Sequence, residues 1–123
     1  MTIEDAISQV DTLVPNRFTD EEKIKWLTNL DMRVKTKIID AHEGVDPISF
    51  YGYDSTDIAS DLLIPPPFDE IYPRWLEAMI HYHNSEDDRY NNAMVLVNST
   101  YKQYGDYYTR NHMPISRGGR FVF

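Results

Sequence analysis

Two histidines one residue apart are the side chains in this chain whose chemistry is most easily named. His81 and His83 flank Tyr82, and neutral imidazole is a common metal ligand. On a helix, however, positions i and i+2 point about 200° apart, so the two rings cannot hold one ion. The pattern favours two surface histidines on either side of a core tyrosine. We therefore expect no metal and no cofactor.

The acidic residues give no clearer indication of catalysis. Asp54, Asp57 and Asp61 do not follow the calcium-loop spacing, and residues 54–57 have the composition of a turn. The acids at 86–88 suit the start of a helix. The chain contains no cysteine and no Gly-x-Ser-x-Gly sequence. A small enzyme with a site built from Asp, His and Tyr, tested first at Asp54 or His81, remains an alternative, but no reaction is indicated.

Charge is distributed unevenly along the 123 residues. The net charge is −8, and the last acid is Asp106, so residues 107–123 carry +3 and residues 1–106 carry −11. An acidic body repels phosphate, which argues against DNA binding as the main activity. The opening residues have neither a basic nor an apolar stretch, so we expect no secretion signal and no membrane span.

Helix signals dominate the first 44 residues. Thr2 with Asp5, and Thr19 with Glu22, are spaced as capping boxes. Apolar residues at helical spacing follow each of them. These patterns predict helices over approximately 3–14 and 20–43.

The second half of the chain begins with an extended stretch and three prolines. Residues 46–66 predict a short extended or β segment, since Pro65–Pro67 keep the preceding residues out of helical geometry. Helices are predicted over approximately 68–85 and 88–111, with Tyr82 among the inward-facing residues of the first. The second has an apolar seam with an average period of 3.5 residues: Tyr90, Met94, Val97, Tyr101, Tyr104 and Tyr108. Such a seam fits a core edge or a subunit contact.

These elements predict a mainly α protein with one domain. Its parts are a helical hairpin over 1–44, an extended arm over 45–67, a second helical hairpin over 68–112 and an extended C-terminal tail over 113–123. The tail ends in Phe121-Val122-Phe123, which is too apolar to be exposed without consequence. We expect it to fold onto its own core or to pair with a neighbour.

Over nearly its whole length the sequence resembles the head–tail connector, or adaptor, proteins of tailed bacteriophages and prophages. The stretches that carry the resemblance keep their order along the chain and include Leu13-Val14-Pro15-Asn16, Ile39-Asp40-Ala41-His42-Glu43-Gly44, Leu63-Ile64-Pro65-Pro66-Pro67-Phe68-Asp69-Glu70-Ile71-Tyr72, Arg74-Trp75-Leu76-Glu77-Ala78 and Tyr107-Tyr108-Thr109-Arg110-Asn111-His112-Met113-Pro114.

The resemblance implies a structural, non-enzymatic role in the virion after assembly in the host cytoplasm. Such proteins form a ring of about twelve copies beneath the portal protein. The ring extends the DNA channel, without sequence-specific binding, and docks the next connector, stopper or tail protein. No membrane is involved. The residues that we expect at subunit or portal contacts are Phe50, Leu63, Arg110, Arg117, Arg120, Phe121 and Phe123. A small phage-encoded regulator that binds a host protein is the other alternative.

Overall fold

The first two helices begin where their capping boxes predict. The computed structural model describes residues 1–39, 50 and 52–111. Helix α1 spans Ile3–Leu13 and α2 spans Asp20–Val34; both capping boxes are formed. Beyond Val34 the helix widens into a π-helical turn, Lys35–Ile39. The predicted end of α2, at residue 43, lies outside the described residues.

Helix α3 is shorter than the sequence pattern indicated. It spans Ile71–His83, whereas the prediction was 68–85. Turns occupy the stretch after the prolines, where the Phe68 N–H donates to the Pro65 carbonyl at 3.0 Å. The helix starts late enough that Pro73 is its third residue. A missing N–H costs nothing there, because the first N–H groups of a helix have no partner within the helix.

The end of α3 is set by a left-handed residue. Ser85 has φ 58°, its N–H donates to the Tyr82 carbonyl, and the Glu86 N–H donates to the His81 carbonyl at 2.9 Å. This is a Schellman ending, with serine in the place that glycine usually takes. The chain then enters α4, Asp87–Asn111, which packs antiparallel along α3.

The tyrosine-rich seam of α4 faces the protein core, which is one of the two positions that its period allowed. Val97, Tyr104 and Tyr108 are buried, and the other three members are half-buried. Burial raises the pKa of Tyr104 to about 12. The core continues through α1, α2 and α3, and Ile3, Leu27, Ile64 and Leu76 have essentially no exposed surface.

The segment between α2 and α3 contains no strand within its described residues, 50 and 52–70. A 3₁₀ turn forms at Ser55–Asp57 and is closed by two hydrogen bonds. The Asp54 N–H donates to the Asp57 carboxylate, and the Thr56 N–H donates to the Asp54 carboxylate. Residues 63 and 64 lie in a bend, and one isolated bridge joins Thr2 to Asp61. The mainly α prediction is therefore confirmed, with four α-helices and no sheet among the described residues. The division into hairpins, arm and tail stays a prediction.

Two glycines give a matched test of this backbone. Gly105 lies inside α4, and a Cβ there would meet only Ile38 Cδ1 at 3.9 Å. We expect Gly105→Ala to raise the free energy of unfolding by about 0.5–1 kcal/mol, because alanine forms helix better. Gly52 has φ +121°, and its Cβ would lie 3.0 Å from Thr28 Cγ2. Gly52→Ala should therefore lower the unfolding free energy by more than about 1 kcal/mol. Urea unfolding of both variants checks the opposite signs.

Candidate interaction surface

The segment between α2 and α3 is anchored to the helices by a buried carboxylate. Asp31, on α2, has no exposed surface. Its Oδ2 accepts from the Tyr53 hydroxyl and, at 3.1 Å, from the Leu63 N–H. Its Oδ1 accepts from the Tyr72 hydroxyl at 2.6 Å. The Tyr72 oxygen in turn accepts from the Ile64 N–H at 2.7 Å. These five residues form what we call the Asp31 network.

The ionisation of the Asp31 network follows from its burial. Desolvation raises the pKa of Asp31, although the bonds from Tyr53, Tyr72 and Leu63 oppose the rise. Desolvation, followed by the nearby Asp31 charge, raises the pKa of both tyrosines far above the usual value. Both hydroxyls therefore keep their protons and act as donors at neutral pH.

The same segment also completes the start of α1. The N–H groups of Ile3 and Glu4 donate to the carbonyls of Ser60, at 3.2 Å, and Ile58, at 2.9 Å. Leu62 N–H donates to the Met1 carbonyl at 3.0 Å. Because first-turn N–H groups have no partner within their own helix, these bonds satisfy donors that would otherwise need water. Residues 52–64 are thus bonded to α1, α2 and α3. We call them the anchored arm.

The structure brings two of the predicted contact residues to the same region. The Phe50 ring packs on the Tyr53 ring with centroids 4.6 Å apart, and Leu63 is bonded to Asp31 through its N–H. Both side chains are half-buried. Arg110 is exposed in the last turn of α4. The other predicted contacts, Arg117, Arg120, Phe121 and Phe123, lie outside the described residues.

The sequence prediction was wrong for His81 and Tyr82 but is confirmed for His83, which is exposed. His81 is buried, and its Nδ1 lies 3.0 Å from Glu86 Oε1. Tyr82 is 58% exposed. The helical period does place Tyr82 on the inner face, but the core has ended at the last turn of α3. The turn into α4 covers His81 instead. The bond to His81 is the main reason why the pKa of Glu86 is lowered.

The residues most suited to general acid–base chemistry serve structural roles. Asp54 caps the 3₁₀ turn, and His81 joins the end of α3 to Glu86. Within residues 1–39, 50 and 52–111, no set of three His, Cys, Asp or Glu side chains is arranged to hold a metal ion. None of the helices in these ranges is long and apolar enough to cross a bilayer.

Apolar side chains are exposed around one groove. Leu13, at the end of α1, is 67% exposed, and Leu96, on α4, is 46% exposed. Both line a groove with Val14, Pro15 and Ala93. The neighbouring Val95 is 66% exposed. Arg74 and Glu77, which pair with each other, also line the groove, as does Arg89, which pairs with Glu86. We call this the Leu13–Leu96 patch; sequence periodicity alone did not single it out.

Comparisons with protein-family models, with curated proteins and with solved structures find no match for this chain.

Removing one hydroxyl tests the Asp31 network. Tyr72→Phe leaves the Ile64 N–H without its acceptor and takes one donor from a buried carboxylate. We expect the free energy of unfolding to fall by about 1–3 kcal/mol. Tyr82→Phe, the same change at an exposed ring, should alter it by less than about 0.5 kcal/mol. Equal effects in urea unfolding would contradict the assigned role of Tyr72.

The pKa of Asp31 predicts a pH dependence of stability. Because that pKa is raised on folding, the stabilisation from its proton is complete below about pH 4 and is lost as pH rises through the folded value. Asp31→Asn removes this dependence. The unfolding free energy of the native protein minus that of the variant should therefore decrease from pH 4 to pH 7. The lowered pKa values of Asp11 and Glu86 act in both proteins and cancel. A difference that increases with pH would contradict the raised pKa.

Proposed function

We propose that this protein is a head–tail connector subunit of a tailed bacteriophage or prophage. It forms a ring of about twelve copies beneath the portal protein, extends the DNA channel and docks the next connector or tail component. The proposal assigns it a structural role in the virion and no catalytic residue.

The Leu13–Leu96 patch is the observation that carries this proposal. Contiguous exposed apolar side chains with a charged rim are typical of protein-binding surfaces. Leu13 and Leu96 line one groove together with the charged residues Arg74, Glu77 and Arg89, on a chain with a net charge of −8. Subunit contacts would remove these side chains from water, which is the main favourable term in protein association.

The anchored arm supports the proposal in a second way. Its backbone is bonded to α1 and to the Asp31 network. A preorganised segment loses less conformational freedom on association than a loop that must first become ordered. Phe50, next to this arm, and the residues of the 3₁₀ turn can therefore be presented to a neighbour in a defined position.

The resemblance described above names the kind of assembly, and the charge distribution is compatible with it. A body with a net charge of −11 over residues 1–106 would surround a DNA channel without gripping the phosphates. The arginines after residue 106 can meet acidic surfaces on subunits or on the portal protein.

Electron microscopy of the protein mixed with its cognate portal protein tests the proposal. We expect a closed ring of this protein on the portal. Leu96→Asp should abolish that ring, because a charge would be buried in an apolar contact. Met32→Asp, which changes another exposed apolar side chain on α2, should leave the ring intact. Circular dichroism of both variants verifies that they fold.

Deletion of residues 115–123 should also abolish ring formation or portal docking while helicity is kept. A folded protein that never associates with the portal and instead has a solution mass of one or two subunits would contradict the connector proposal and favour the regulator. Saturable turnover that is lost on changing His81 or Asp54 would favour the enzyme.

A further inference from the structure

Five aromatic rings form a continuous row where α2 begins, α3 ends and α4 begins. Phe18 packs edge-on against Trp26, with centroids 5.2 Å apart. Trp26 and His83 stack at 5.2 Å with an interplanar angle of 12°. His83 then contacts Tyr82 at 5.2 Å, and Tyr82 contacts Tyr90 at 5.4 Å. We call these five residues the aromatic row.

The aromatic row is accessible and its surroundings are acidic. Tyr82 and His83 are exposed, and Phe18 and Tyr90 are half-buried. Six acids lie in the same stretches of chain as the rings, in the first turn of α2 and at the start of α4: Asp20, Glu21, Glu22, Glu86, Asp87 and Asp88. The basic residues of the same two stretches are Arg17, Lys23, Lys25 and Arg89. Lys23 is buried, with its Nζ 2.7 Å from Asp11 Oδ1, and Arg89 pairs with Glu86.

The C-terminal segment has the complementary chemistry. Residues 115–123 contain Arg117, Arg120 and the ending Phe121-Val122-Phe123, with no acid. Guanidinium groups stack on aromatic faces and pair with carboxylates, and apolar rings add to an aromatic surface. An acidic aromatic surface therefore fits this segment better than it fits a nucleic acid, whose phosphates the six acids would repel.

Chain length limits which residues of the segment can reach the aromatic row of their own molecule: Phe121 and Phe123 could reach it, but Arg117 could not. Tyr90 and Asn111 are 21 residues apart on α4, a distance of about 31 Å along the helix. Arg117 is six residues beyond Asn111, and a fully extended chain of that length reaches about 20–22 Å. Arg117 therefore cannot return to the aromatic row of its own molecule. Arg120 is nine residues beyond Asn111, and an extended chain of that length reaches about 30–32 Å. It could therefore reach Tyr90 of its own molecule only if no residue were used to reverse the direction of the chain after α4.

We infer that the aromatic row of one subunit receives residues 115–123 of a second copy of this chain. Arg117 and Arg120 lie among the carboxylates and rings, and Phe121 and Phe123 pack on exposed ring faces. The contact joins two different surfaces, so repeated copies associate head to tail and a ring closes when the rotation permits. This inference rests on the proposed function, to which it adds a specific subunit contact.

Photo-crosslinking of the full-length protein tests this contact. A benzoylphenylalanine residue is placed at position 121, and isotope-labelled and unlabelled protein are mixed before illumination. We expect crosslinks from position 121 to Tyr82, His83 or Tyr90, with labelled chains joined to unlabelled ones. Crosslinks confined to single chains, crosslinks only to other surfaces, or no crosslinks at millimolar protein would each overturn the inference.

Substitutions in the aromatic row and its acids test whether these side chains cause the interchain crosslink. Tyr82→Ser and Asp88→Lys should each reduce the interchain crosslink at least fivefold, whereas Met32→Ser, a change at another exposed side chain, on α2, should not. Combining Asp88→Lys with Arg117→Glu should restore much of the crosslink, which a folding defect would not do. Failure to restore it would contradict the charge pairing.

The crosslinking experiment and the electron microscopy of the protein on its portal test different claims. Interchain crosslinks to the aromatic row without a ring on the portal would support this contact and contradict the connector proposal. A portal-bound ring whose crosslinks avoid the aromatic row would support the connector proposal and overturn this contact.

Discussion

The structure depends on a carboxylate that is buried without a basic partner in its hydrogen-bond network. Burying Asp31 is costly, and the cost is offset only while its oxygens keep the donors from Tyr53, Leu63 and Tyr72. These donors follow Asp31 by 22 to 41 residues along the chain. Any arrangement that separates them leaves a charge or a proton donor unsatisfied in the core. The network therefore selects one placement of the arm among those that apolar packing alone would allow.

That placement explains how a long connection can be part of the core. The anchored arm supplies the carbonyls that the first turn of α1 needs, and it buries Leu62 and Ile64. It thus links α1 to α2 and α3, with additional cross-links from Trp75 Nε1 to the Trp26 carbonyl at 2.7 Å and from Lys23 to Asp11. A segment with so many bonds to its surroundings gives Tyr53 a defined position, and with it the Phe50 ring that packs on Tyr53.

The two ends of α4 differ in the partners that they suit. At its beginning, the Schellman turn, the His81–Glu86 bond and the aromatic row are neighbours, so the geometry that ends α3 also positions exposed rings beside carboxylates. At its end, Arg110 is exposed before a basic and apolar tail. Opposite chemistry at the ends of one long helix favours contacts between different surfaces of successive copies.

Features that depend on neighbours three or four residues apart could be predicted from the amino-acid pattern. Both capping boxes, the apolar seam of α4 and the mainly α class follow from such spacings, and the structure contains them. Long-range packing, in contrast, makes Asp31 the anchor, covers His81 while Tyr82 stays exposed, and brings Leu13 and Leu96 to one groove. Periodicity reports which face of a helix is apolar, but it contains no information on where the neighbouring helix stops or which distant donor reaches a buried carboxylate.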